Sequence, residues 1–318
     1  MVGTMKRGGP LLAGLLGVSA LAACAQHSGA GAGLPPDHPA IVNAEARAAL
    51  PAVTASKIIL IGDSTTAVKG GWGPSFCGQH VKSDIVCVNL ARGGRSTFSF
   101  RAEGSWDIAL REMAVPGYED TFVLIQFGHN DQPGKPQRST DLETEFKPNL
   151  ERYVTEVREA GAIPVLLTPL TRRMFTEGVL AHSLDPWADA VVEVGRKTGA
   201  PVIDLYGLSA AQVRAMGPVD SIRLSENLPS QDILEGAATG TSVPSENVQA
   251  PEGQTMPAKP PFENLAVNAW RFDYTHIGRE GADVFSNIVA VELARTFPEL
   301  QPSLYADPSA VIAVGKFE

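Results

Sequence analysis

Five short apolar runs, Ile58–Ile61, Ile85–Asn89, Phe122–Phe127, Pro164–Leu167 and Pro201–Leu205, are near-continuous rather than alternating in polarity. A strand reads this way when both of its faces are covered, as in a parallel sheet between two layers of helix. Segments of helical periodicity fall among them. Glu143–Ala160 stops at Gly161, Trp187–Thr198 stops at Gly199, and Arg279–Thr296 is followed closely by Pro298. Strands alternating with helices of this size need crossover connections, which gives a three-layer α/β/α domain, expected over residues 51–300. Residues 218–265 lack clear periodicity and are crowded with Pro, Gly, Ser, Thr and Ala. They are expected as a long loop, either walling a site or running over the surface. Residues 301–318 are expected as a C-terminal tail.

The N-terminus reads as a targeting segment. Lys6 and Arg7 form a basic start, Leu11–Leu21 is a short apolar stretch broken by glycines, and Leu21-Ala22-Ala23-Cys24 sets small residues before a cysteine. A spanning helix needs about 20 apolar residues, more than this run offers. The expectation is a lipoprotein-type signal over residues 1–23, cut before Cys24, whose sulfur then carries lipid. An ordinary secretory signal cut near Ala23, with Cys24 incidental, is the alternative. Residues 24–50 would be a tether, Gly-, Ala- and Pro-rich over 25–40. The protein is then expected in the periplasm or at the cell surface, held to a membrane through Cys24.

The chain carries 26 basic and 35 acidic residues, a net charge of −9 that becomes −11 without residues 1–23. Nucleic acid is not an expected partner, because neutralising phosphates takes clustered Lys and Arg. Cys77 and Cys87 would close a short loop in an oxidising compartment, so a disulfide is one reading. Two buried thiols is the other, since Cys87 lies inside the apolar run Ile85-Val86-Cys87-Val88.

Polar clusters mark the ends of these runs. Gly62-Asp63-Ser64-Thr65 follows the first and Phe127-Gly128-His129-Asn130-Asp131 ends the third, while Asp273-Tyr274-Thr275-His276 stands near the C-terminus. A parallel sheet gathers its strand ends on one rim, so these clusters can meet. A serine hydroxyl is a weak nucleophile until a base removes its proton and a partner holds that base in one tautomer. Ser64 at a strand-to-helix turn, His276 as base and Asp273 as orienter supply those parts. Among the other histidines, His27 and His38 lie in the tether and His80 and His182 lack a comparable setting. Acyl transfer also needs donors for the oxyanion. The glycines of Asn89-Leu90-Ala91-Arg92-Gly93-Gly94-Arg95-Ser96 allow close backbone approach, and Asn130 brings an amide. A plain turn and a loop-capping asparagine are the alternatives, though neither explains why each cluster falls at a strand end.

Taken together, Gly62-Asp63-Ser64-Thr65, the turn at Gly94, Gly128-His129-Asn130-Asp131 and Asp273-Tyr274-Thr275-His276 resemble, in order, the four blocks of the SGNH (GDSL-type) hydrolases. Gly71-Trp72-Gly73, Gly94-Arg95-Ser96, Gln126 through Asp131 and Thr168-Pro169-Leu170-Thr171-Arg172-Arg173 resemble the rhamnogalacturonan acetylesterase branch, over roughly residues 56–297. The resemblance implies a five-stranded, flavodoxin-like parallel sheet and deacetylation of plant cell-wall polysaccharide without metal or organic cofactor. It also implies Ser64 as nucleophile, Asp273 and His276 as its partners, and the Ser64 N–H, the Gly94 N–H and the Asn130 side chain as oxyanion donors. No family motif anchors residues 218–265.

The expected protein is thus an exported serine esterase that removes O-acetyl groups from a rhamnogalacturonan- or pectin-like polysaccharide or oligosaccharide. A lipase, thioesterase or lysophospholipase on the same scaffold is the rival enzyme, and a carbohydrate-binding lipoprotein without activity is the rival binder. Galacturonate-rich substrates are anionic and the chain is acidic, so local arginines must offset a repulsive field. By motif position the candidates are Arg92, Arg95, Arg172 and Arg173. Structural ion pairing is the alternative for all four, and is favoured for Arg95.

Overall fold

The computed structural model describes residues 55–243 and 272–312, all within the unit Val53–Glu318. Five parallel strands form the central sheet: β1 (Ser56–Gly62), β2 (Ile85–Asn89), β3 (Thr121–Gln126), β4 (Ile163–Leu167) and β7 (Val202–Ile203). They lie in the order β2-β1-β3-β4-β7, and a small antiparallel pair, β5 (Phe175–Thr176) with β6 (Val179–Leu180), stands apart from them. Among the described residues, six helices of eight residues or more accompany the sheet: α1 (Ser105–Met113), α2 (Lys147–Glu159), α3 (Asp185–Thr198), α4 (Leu205–Asp220), α5 (Gln231–Ala238) and α6 (Arg279–Thr296).

The alternation of side chains along a strand builds two cores. Ile58 and Leu60 of β1 point to one face, where they join Phe285, Val289 and Leu293 of α6. Ile59 and Ile61 point to the other, with Trp106 of α1, Tyr153 and Val157 of α2 and Val191 of α3. Every residue of β3 is buried, and β1 is buried beyond its first residue, which is why both read as continuous apolar runs. Cys77 and Cys87 are joined as a disulfide, Cα–Cα 5.4 Å, tying the segment after β1 to the edge strand β2.

Three expectations are corrected. The run Pro201–Leu205 contributes only Val202 and Ile203 to the sheet, because Asp204 caps α4 by accepting from the Gly207 N–H at 3.0 Å and turns Leu205 into helix. The expected loop 218–265 is in part helical. It holds the end of α4 past a break at Gly217 (φ +74°), a 3-10 turn at Ser221–Leu224, and α5, while residues 244–265 lie outside the described residues. Ile233 and Ala237 of α5 are one helical turn apart and bury against Ile222, Phe272 and Tyr274. The tail is not separate from the domain either, since Leu304 enters the core beside Leu300, and the Tyr305 N–H donates to the His80 carbonyl at 2.7 Å. The expected signal, tether and Cys24 lie outside the described residues.

Candidate active site

Each polar cluster follows a C-terminal strand end of the sheet or packs against one. After β1 the chain turns sharply, with the N–H groups of Thr66 and Ala67 donating to the Asp63 carbonyl. The Asp63 carboxylate accepts from the Thr65 N–H and hydroxyl, both at 2.8 Å. Gln126, the last residue of β3, pins this turn from beneath. Its Oε1 accepts from Thr66 Oγ1 at 2.6 Å and Trp72 Nε1 at 2.7 Å, and its Nε2 donates to Thr65 Oγ1 at 2.9 Å. Gly73 explains why the Gly71-Trp72-Gly73 step is glycine-bound. A Cβ there would stand 2.2 Å from the Thr66 carbonyl oxygen and 2.3 Å from Asn89 Nδ2.

Ser64 projects from this turn and is 5% exposed. His276 Nε2 lies 2.8 Å from Ser64 Oγ, and His276 Nδ1 lies 2.8 Å from Asp273 Oδ2. The three-residue spacing lets one aspartate serve both ring and backbone. Asp273 Oδ1 accepts from the N–H groups of Thr275 and His276, each at 2.7 Å. Burial opposes ionisation of Asp273, but the His276 ring and these two N–H donors outweigh it and hold the carboxyl at about 2. A carboxylate so held keeps a proton on Nδ1 and presents Nε2 to the hydroxyl as an acceptor.

How this turn is held has no signature in the sequence. Arg173 is fully buried, with no carboxylate within ion-pair distance among the described residues. It donates to the His276 carbonyl at 2.8 Å, to Ser225 Oγ at 3.0 Å, and at 3.4 Å to the carbonyls of Asp273 and Thr275. Burial pushes its guanidinium down to about 10. Arg173 is therefore committed to the Asp273–His276 turn and is not free for an anionic sugar, which corrects that expectation.

The segment after β2 passes over Ser64, for a Cβ built on Gly93 would lie 3.7 Å from Ser64 Cβ. Gly94 has φ +80°, in the left-handed region that favours glycine. Neither the Ser64 nor the Gly94 N–H has a protein acceptor among the described residues. Asn130 is buried, its Nδ2 donating to the Arg95 carbonyl at 3.0 Å while its Oδ1 accepts from Arg138 Nη1 at 3.1 Å. A guanidinium only donates, so Arg138 fixes which way the Asn130 amide faces. The Asn130 neighbours are also buried polar groups. His129 Nδ1 stands 3.3 Å from Asp63 Oδ2, an ion-pair distance without hydrogen-bond alignment. Burial holds the His129 ring below its ordinary range despite Asp63.

The remaining arginine expectations divide. Arg95 pairs with Glu103 at 2.8 Å and Arg92 reaches the same carboxylate at 3.4 Å, the structural role expected of Arg95. Arg172 is half-buried, and donates to Ser183 Oγ at 2.9 Å and Thr275 Oγ1 at 3.3 Å.

The geometry is that of a hydroxyl with a base in contact with it and a carboxylate behind the base, the arrangement that acyl transfer requires. The GDSL-like Lipase/Acylhydrolase family model matches residues 60–222, taking in Ser64, Gly94 and Asn130 and ending before Asp273. Over 176 residues the chain is 38% identical to rhamnogalacturonan acetylesterase RhgT of Bacillus subtilis (strain 168), covering 53% of this chain and 72% of RhgT. It is 35% identical over 164 residues to the same organism's "Probable rhamnogalacturonan acetylesterase YesY", covering 49% of this chain and 73% of that one. Among solved structures, Bacillus subtilis protein YXIM superposes with a TM-score of 0.52 at 23% identity, over 77% of this chain and 57% of that one. That likeness bears on the fold alone. The chain belongs to the GDSL-like lipase/acylhydrolase family, the SGNH hydrolases, in the branch that resembles rhamnogalacturonan acetylesterases.

Proposed function

We propose that the protein is a serine esterase that removes O-acetyl groups from an acidic cell-wall polysaccharide of the rhamnogalacturonan or pectin kind. One observation carries the reading: the unbroken contact from Asp273 through His276 to Ser64 Oγ, at 2.8 Å for each link. Ser64 Oγ attacks the acetyl carbonyl as His276 Nε2 takes its proton. The Ser64 and Gly94 N–H groups and Asn130 Nδ2 donate to the resulting oxyanion. His276 then protonates the departing sugar oxygen, leaving an acetyl group on Ser64. Water, deprotonated by the same nitrogen, attacks that ester and frees acetate. No step calls on a metal or organic cofactor.

The substrate class follows from RhgT and YesY, whose names specify rhamnogalacturonan acetylesterase activity. Such a polymer cannot enter a cell, and export through the N-terminal segment with lipid attachment at Cys24 fits that need. The decisive experiment measures acetate released by the purified protein from acetylated pectins, xylans and chitin fragments, alongside chromogenic esters of increasing acyl length. Release from pectin that exceeds release from xylan and chitin, with activity falling steeply beyond acetyl, is expected. Preference for long acyl chains would identify a lipase-type esterase instead.

A further inference from the structure

Three cations near Ser64 (Lys135, Arg138 and Arg172) differ from most others among the described residues. Lys57, Arg101, Lys147, Arg152 and Lys197 each sit within 2.9 Å of a glutamate oxygen. Lys135, Arg138 and Arg172 have no carboxylate within ion-pair distance among the described residues, although the chain as a whole carries a net charge of −9. All three are half-buried.

They are also neighbours across the mouth of the site. Lys135 and Arg138 lie in the segment 131–140, which is closed at its ends by the Thr140 N–H donating to the Asp131 carbonyl at 2.9 Å. Ser183 joins that segment to Arg172, its carbonyl accepting from Gln132 Nε2 at 2.7 Å and its hydroxyl from Arg172 Nη1 at 2.9 Å. On the opposite side, Arg172 Nε holds Thr275, the residue before His276. Arg138 Nη1 holds Asn130 and approaches the Gly94 carbonyl at 3.5 Å. Both guanidinium groups therefore touch the machinery around Ser64 through one edge only. Arg172 Nη2, Arg138 Nη2 and the Lys135 ammonium make no hydrogen bond among the described residues.

Unpaired like charges held together in a partly desolvated rim are unfavourable until an anion enters. Burial, with the charges of Arg172 and Arg138, keeps the Lys135 ammonium below its ordinary range. Asp63 and Asp273 favour the Arg172 cation only from beyond ion-pair distance, and their hydrogen bonds go elsewhere, Asp273 to His276 and Asp63 to Thr65. We propose that Lys135, Arg138 and Arg172 form a carboxylate-binding subsite beside Ser64, which takes the acid group of a hexuronate residue bearing or adjoining the acetyl ester. Arg172 offers a planar donor edge to the carboxylate, Lys135 a mobile point charge, and Arg138 couples the bound anion to Asn130. A neutral acetylated sugar leaves the cluster without a counterion and binds less well.

The inference rests on the esterase reading for its substrate but is tested separately from it. Acetate release is measured for wild type, Lys135→Gln and Arg172→Gln on acetylated oligogalacturonides with free carboxylates and on the same oligomers after methyl esterification. Wild type is expected to prefer the free acid. In each variant the ratio of kcat/KM, free acid over methyl ester, should fall about tenfold and mainly through KM, the scale of one lost charge-assisted hydrogen bond. Equal losses on both substrates, or an unchanged ratio, would overturn the subsite. In a second arm, unacetylated oligogalacturonate is titrated calorimetrically into Ser64→Ala protein with and without each substitution. Weaker binding in the variants, and weakening by salt, is expected even if no sugar ester is hydrolysed, a result that would sink the esterase reading and leave the subsite standing. Binding that the substitutions do not alter would sink the subsite alone.

Discussion

Asp131 makes the stability of this protein depend on pH in a way that one substitution can expose. Its Oδ1 accepts from the Thr97 N–H at 3.0 Å, Thr97 Oγ1 at 2.6 Å and Thr140 Oγ1 at 2.9 Å, while Oδ2 has no partner among the described residues. Burial dominates those three donors and pushes the carboxyl from 3.8 up to about 7. The folded state thus favours the protonated acid. The stability from this preference is fully present below about pH 4, is lost as the unfolded chain ionises between about pH 4 and 7, and is constant above. Some three pH units at about 1.4 kcal/mol each give a loss of roughly 4 kcal/mol. Asn at position 131 keeps the acceptor oxygen and cannot ionise. It leaves an amide N–H where Oδ2 stood, which adds an offset of about 1–3 kcal/mol that does not vary with pH. Urea unfolding of wild type and Asp131→Asn in steps from pH 4 to 8 should show the difference in ΔG moving toward the variant by as much as about 4 kcal/mol. Comparing the two proteins cancels every other titrating group. Parallel curves would refute the reasoning, since they would mean that Asp131 ionises alike in both states.

Ser64→Ala should lower ester hydrolysis by about 10³-fold or more with an unchanged melting temperature, and activity within tenfold of wild type would remove Ser64 as nucleophile. Asn130→Ala should reduce kcat by about 10²–10³ with KM little changed, as expected of a donor used in the transition state. A loop-capping asparagine would instead cost ~1 kcal/mol of stability and leave kcat nearly intact in the folded fraction. Arg173→Met should lower kcat by about 10²-fold through misplacement of His276, and it should do so equally on free-acid and methyl-esterified substrates. A selective loss on the free acid would show that Arg173 meets the sugar after all. Reduction of Cys77–Cys87, ten residues apart in sequence, should lower stability by about 2–3 kcal/mol in chemical unfolding.

Much of this site was legible because its chemistry is local. Asp273 reaches the ring and the backbone of His276 from three residues away, and Ser64 follows a strand whose core residues are all buried. Such relationships are written in spacing and periodicity. β7 is shorter than its apolar run because apolarity marks burial and not pairing, and only Leu166 and Leu167 pair with it. α5 has a weak sequence signal because Gly236 and a short length blur a pattern that only Ile233 and Ala237 carry inward. The arginines show a different limit. Arg92, Arg95, Arg172 and Arg173 stand at similar motif positions, yet Glu103 takes the first two, backbone carbonyls of the catalytic turn take Arg173, and among the described residues no acid comes within ion-pair distance of Arg172. Lys135 and Arg138 join Arg172 through a loop closed by Asp131, a relationship with no sequence signature. Net charge averages over the surface and gives −9, whereas the sign at the site is set by which cations lack a neighbour. An acidic protein can therefore carry a local cluster of unpaired cations, and the proposed subsite predicts that an anionic oligomer enters there rather than adsorbing elsewhere on the surface.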